Sequence, residues 1–253
     1  MFLRPLIVPL LLAFATSALA DDEVTPLLEA MHAAGEELTS LESRVKLTDY
    51  DFDTAEEAIR PGTMTLVRGE AGDAIHVYFT GRATGEAGSR QFFEEPLEYL
   101  LRDGVLVDRN YRSKTEVRRT LPPEEAERDL LSLSEGPFPL PIGQEPAMVR
   151  ELFDVKLVDV SADNDYAVDP IAGTTRLRLT PKPDTRFSGD FLLIEVDVDP
   201  STGLPAQVTT VDAGEINLRI VEFLDPRLNR DGVGLPTLRE VDLSTWNVTE
   251  EQL

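Results

Sequence analysis

The chain has 253 residues, with 24 Lys and Arg against 47 Asp and Glu, two His and no Cys, giving a net charge of −23. That length is enough for one large domain with its own core. The acidic balance excludes nucleic acid as a partner, since phosphate binding needs a basic face, and it argues against rest on an anionic membrane surface. The missing Cys removes disulfides, thiolate metal sites, iron–sulfur clusters and a lipidated N-terminal Cys.

Residues 1–20 read as an export signal. Arg4 supplies the charged start, residues 6–14 are apolar apart from Pro9, and Ala18-Leu19-Ala20 is a small-residue exit followed by Asp21-Asp22. The apolar run falls short of the roughly 20 residues that span a bilayer. The pattern predicts cleavage near Ala20 and a soluble, exported product of residues 21–253.

Residues 25–39 have helical spacing, with Thr25 as cap and Pro26 at the first helical position. Leu27, Leu28, Met31, Ala34 and Leu38 form one apolar stripe, and His32 lies beside it as a surface or half-buried histidine. The period then changes to two. Residues 41–51 alternate loosely, Pro61-Gly62 reads as a turn, 63–67 as a strand, 69–73 as a turn and 74–80 as the returning strand. On that strand Ile75, Val77 and Phe79 share one face, and His76 lies on the other as a packed or surface-facing residue. Short strands follow at 91–95, 97–102, 105–111 and 115–121, with Asp103-Gly104 as a hairpin signal.

Residues 122–153 interrupt the strands. Pro122-Pro123 with two following acids opens a helix, Phe138, Leu140 and Ile142 alternate with prolines and a glycine in an extended run, and 146–153 is a second short helix. Strands resume at 155–160, 174–180, 191–198, 205–212 and 215–223, with a last one at 243–248. Ile194, Val196 and Val198 alternate with Glu195, Asp197 and Asp199, which predicts apolar side chains inward and acids in solvent. The acids at 163, 165 and 169 read likewise as solvated surface, since neither cluster has calcium-loop spacing.

Together these elements predict an α+β domain over 21–253: a curved antiparallel β half-barrel of about ten to eleven strands, with helices covering the concave face and a lid insertion at about 122–153. No G-x-S-x-G elbow, phosphate cradle or dinucleotide fingerprint is present. No catalytic residue, metal or cofactor is therefore assigned.

The order of short motifs adds to this. Gly62-Thr63…Arg68 opens a hairpin, the strand 74–80 ends in Tyr-Phe-Thr, and Arg102-Asp103-Gly104 makes a second hairpin. Thr180-Pro181-Lys182-Pro183 and Thr202-Gly203-Leu204-Pro205 follow in the later strands. This order resembles the periplasmic outer-membrane lipoprotein carrier (LolA-like) superfamily over most of 25–224, as a diverged member. Where that family has Arg-Pro and then a Trp-containing strand, this chain has Arg68-Gly69 and His76. The resemblance implies a non-enzymatic carrier or chaperone that shelters acyl chains of lipoproteins or other lipids in an apolar cavity. It also implies a membrane-protein donor or acceptor. A monomer is expected. On this reading the cavity is lined by Leu28, Met31, Ile75, Val77, Phe79, Phe138, Leu140 and Ile142, and Arg68 is the lid tie or gate. Two other readings stand beside it: an exported protein-interaction or envelope-stress sensor module of the same fold, and an exported hydrolase whose carboxylates meet in space.

Overall fold

The structure is a computed structural model. It describes residues 17–69, 72–85, 89–122, 142–159 and 166–252, with side chains of the first helix from Glu23 onward. Helix α1 is Ser17–Glu37 and helix α2 is Pro146–Leu152. The remaining regular structure is one 14-stranded sheet. Its first eight strands are β1 Ser40–Asp51, β2 Glu56–Val67, β3 Ala74–Phe79, β4 Arg82–Thr84, β5 Gln91–Phe93, β6 Leu97–Arg102, β7 Val105–Asn110 and β8 Thr115–Thr120. The last six are β9 Phe153–Leu157, β10 Thr175–Pro181, β11 Phe191–Val198, β12 Pro205–Asp212, β13 Asn217–Leu228 and β14 Asn247–Gln252.

Across the sheet the order is β14-β8-β7-β6-β3-β2-β1-β13-β12-β11-β10-β9, with the short β4 and β5 set off beside β2. Twist accumulated over so many strands bends the sheet. Its outer strands β14 and β9 do not pair with each other, so the barrel stays unclosed. Every pairing is antiparallel except β14 with β8. The long strands β1, β2 and β13 form the middle, and the chain's first and last thirds thereby meet at the β1–β13 ladder.

Several turns form for local reasons. Asp103 and Gly104 both have positive φ, at 53° and 71°. Two such residues in succession are what a tight two-residue hairpin with the sheet's own twist requires. Pro61-Gly62 differs from the expected turn: both residues lie inside β2, paired with Lys46 and Val45 of β1. Gly62 is needed there because a Cβ would meet the Tyr78 carbonyl oxygen at 2.4 Å.

The sheet has 14 strands rather than the ten or eleven expected, and the three-residue β4 has no counterpart among the strands read from the sequence. Helix α1 also starts earlier than the expected 25, so Pro26 lies inside it rather than at its first turn. The expected last strand at 243–248 is a 3₁₀ turn at Leu243–Thr245, and the strand itself begins at Asn247.

Candidate functional site: the concave face beneath the first helix

Alternation on each strand sends one set of side chains to the concave face. Met64 and Leu66 of β2, Ile75, Val77 and Phe79 of β3, Leu177 and Leu179 of β10, and Ile194, Val196 and Val198 of β11 all join one apolar cluster. Val24, Leu28 and Met31 of α1 close it from above, together with Ile142, Val149 and Phe153. Of the residues expected to line a cavity, the six that fall in the described chain (Leu28, Met31, Ile75, Val77, Phe79 and Ile142) come together in this packed cluster at 1–4% exposure. Phe138 and Leu140 lie outside the described residues. A small apolar pocket of about 100 Å³ opens next to Ile142, between Leu41, Leu204, Pro205 and Phe223.

Two side chains hold the C-terminal end of α1. Arg68 donates through Nη1 to the Gly35 carbonyl oxygen at 2.6 Å. Asn229, at the end of β13, donates to the Glu37 carbonyl oxygen and accepts from the amides of Thr39 and Ser40. Free carbonyls at a helix end need such partners. Further along, His32 Nδ1 donates to the Gly143 carbonyl oxygen at 3.0 Å, which fixes its tautomer, and Arg150 of α2 donates to Thr25. His32 is thus a half-buried brace between α1 and the segment before α2. Gly143 approaches so closely that a Cβ on Gly35 would lie 2.2 Å from its Cα.

The opposite face of the sheet carries a second, smaller apolar cluster (Val168, Leu193, Val211 and Leu218) and, in two places, buried charges. Glu195 and Asp197 were expected in solvent. They are 4% and 1% exposed, because Arg176 and Arg178 cross from β10 to meet them. Arg176 grips Asp197 at 2.6 and 2.9 Å, Arg178 meets Glu195, and the Ile171 amide donates to Asp197. These pairs span neighbouring strands, so no local spacing announces them. The acids at 163 and 165 lie outside the described residues.

On the other half of the sheet His76 donates to Glu98 at 2.8 Å. Glu98 is fully buried and also accepts from Tyr111 and the Arg239 amide. Burial alone would raise its pKa, but these hydrogen bonds outweigh it and bring it to about 2. Burial and the bond to Glu98 push Tyr111 up to about 12. Arg109 donates to Glu116 at 2.5 Å, completing the network. Asp108 is raised by burial, against the pull of Arg119. The hydrolase reading calls for two raised carboxylates in one polar cleft, and no such pair is found among the described residues. Nor is any group of three or more His, Asp or Glu there arranged to hold a metal ion. No described helix is long and apolar enough to cross a membrane.

The geometry defines an unclosed α+β half-barrel whose apolar concave face lies under a tethered helix. No family model matches the chain, and no curated protein matches it in sequence. Among solved structures it is similar to the MucA/MucB complex of Pseudomonas aeruginosa (13% identity, TM-score 0.42), covering 85% of this chain and 59% of that one. The chain therefore spans less than two thirds of that relative's length. It is also similar to an uncharacterized conserved protein from Thermus thermophilus (10% identity, TM-score 0.44), covering 90% of this chain and 99% of that one. A LolA superfamily protein from Nitrosomonas europaea is similar at 12% identity and TM-score 0.35, covering 81% and 93%.

Proposed function

We propose that the chain is an exported, periplasmic, non-enzymatic carrier or binder of an acylated ligand, either a lipoprotein or another lipid, which it shelters between α1 and the concave face. The observation that carries this reading is the continuous apolar face under a helix tethered by hydrogen bonds at Thr25, His32, Gly35 and Glu37. These bonds lie outside the strand ladders, so lifting α1 breaks the bonds at Thr25 and His32 but no strand pairing. Leu28, Met31, Ile75, Val77, Phe79 and Ile142 then line the opening, and Arg68 is its tie.

Magnitudes support the exchange. Exposing six such side chains costs about 1.5–3 kcal/mol each, or roughly 9–18 kcal/mol. A fatty acyl chain of about 15 methylenes regains about 0.8 kcal/mol for each one sheltered, roughly 12 kcal/mol. Self-packing and ligand packing are of the same size, which suits a carrier that must both take up and release. Native mass spectrometry of protein purified from its own envelope tests this. A co-purifying lipid or acyl peptide is expected, and repeated recovery of bare polypeptide counts against the reading.

One observation favours a second reading. The described lining residues are packed against one another at 1–4% exposure, beside the small pocket near Ile142. A filled interior suits an exported protein-interaction or envelope-stress sensor module, in which the fold presents surface rather than a hollow. Bare polypeptide in the same experiment, together with a co-purifying protein, would select it.

A further inference from the structure

The chain's last described segment stands apart from the rest of the molecule. After Leu228 no described residue joins either apolar cluster. The segment instead crosses the polar face over β3, β6 and β7. Arg239 is gripped there: its amide donates to Glu98 at 2.9 Å, its carbonyl oxygen accepts from Arg109 at 2.7 Å, and its guanidinium sits 3.5 Å over the Tyr78 ring. Trp246 then packs edge-on against Tyr111. Beyond it β14 runs parallel to β8, in register from Asn247 opposite Thr115 to Gln252 opposite Thr120.

All six side chains of β14 are exposed. Backbone bonds and two ion pairs hold it, Arg119 with Glu251 at 2.9 Å and Arg118 with Glu250 at 4.0 Å. Lifting it uncovers no core, so its local opening should sit at the low end of the molecule's stability range. What it pairs with is basic for a chain of net charge −23: β8 carries Arg118 and Arg119 against the single acid Glu116, which Arg118 meets at 2.6 Å, and Lys114 stands in the turn before it. A bare strand edge is a template for strand addition, and cations along it select an acidic strand.

We propose that the β8 edge is a docking site for an extended acidic strand of a partner protein, and that β14 is a displaceable guard strand that occupies it beforehand. The exchange trades one ladder and its ion pairs for another of the same kind. The tether gives β14 an effective concentration in the millimolar range. A partner strand therefore wins only with contacts beyond the ladder itself, which makes the edge selective. This inference goes beyond the carrier reading and does not depend on the hollow.

The test uses a labelled peptide of residues 247–253 as the probe, with three proteins: the full chain, a chain ended after Trp246, and the full chain carrying Val117→Cys and Thr249→Cys. Because the chain has no Cys, oxidation of that variant locks β14 in place. The peptide is expected to bind the ended chain, at least tenfold more weakly the full chain, and not at all the oxidised variant. A peptide with Glu250→Lys and Glu251→Lys is expected not to bind. Hydrogen exchange on the full chain should show β14 amides opening well before those of the β7–β8 ladder. Equal binding of acidic and charge-reversed peptides, no binding to a folded ended chain, or β14 amides that open only on global unfolding would each overturn the proposal. So would an oxidised Cys pair that joins two chains, since that assigns the edge to a second copy.

Discussion

Arg68 reaches from the end of β2 to the last turn of α1 and donates to the carbonyl oxygen of Gly35 at 2.6 Å. One charged side chain thereby couples the opening hairpin to the helix that covers the concave face. Arg68→Ala leaves that carbonyl without its charged donor and should cost about 1–3 kcal/mol. The loss is expected to be local. Amide exchange in α1 should speed up more than in β11 or β12, and a thermal melt should shift downward.

Gly35 tests the same contact from the other side. A Cβ at this position would lie 2.2 Å from Gly143 Cα and 2.3 Å from its amide nitrogen. Both are backbone atoms, so the segment 142–145 must move. Gly35→Ala should destabilise by about 1–3 kcal/mol. It should also release His32, seen as loss of protection of α1 in hydrogen exchange. Gly203, with φ 69° and a virtual Cβ 2.6 Å from the Ala30 carbonyl oxygen, should respond in the same direction.

Glu98 gives the molecule an acid-sensitive limb. Its pKa in the folded chain is about 2, against an ordinary 4.5. A depressed carboxylate contributes stability that is whole above its unfolded value and is lost as pH falls through the folded value. The contribution is about 3 kcal/mol, lost between about pH 4.5 and about pH 2. Glu98→Gln should therefore be less stable than the parent at neutral pH, and the gap should close as the solution is acidified. Urea midpoints at several pH values measure it.

Asp197 and Arg176 are both about 1% exposed in their side chains. Removing one partner leaves the other charged and buried, which costs about 3–5 kcal/mol. Asp197→Ala should show that loss, whereas the double change Asp197→Leu with Arg176→Met should recover much of it. Denaturant unfolding of the two variants and the parent separates the outcomes.

Much of this architecture could be read along the chain because its signals are local. The stripe of Leu28 and Met31, the alternation of Ile75, Val77 and Phe79, and the Asp103-Gly104 turn each depend on neighbours within a few residues. The burial of Glu195 and Asp197 was hidden because their partners, Arg176 and Arg178, lie on another strand and read locally as ordinary surface charge. Glu98 was missed for the same reason: His76, Tyr111 and Arg239 reach it from three elements. The parallel pairing of β14 joins residues about 130 apart, and no periodicity encodes such a ladder. Pro61-Gly62 misled because the pair most often marks a turn, yet here the glycine is required by the close Tyr78 backbone. Among the site residues, Leu28, Met31, Ile75, Val77, Phe79 and Ile142 meet in one cluster; how far that cluster opens is a matter of free energy between packed states, which no pattern of residues displays.

The carrier reading requires that α1 lift and that an acyl chain take the place of the side chains beneath it. Titration of the purified chain with a fluorescent fatty acid, run side by side on the parent and on Arg68→Ala, tests it most directly. Saturable binding is expected, displaced by unlabelled fatty acid, with faster uptake when Arg68 is absent. If neither protein binds the probe while both remain folded, the concave face is a closed core and the carrier account is contradicted.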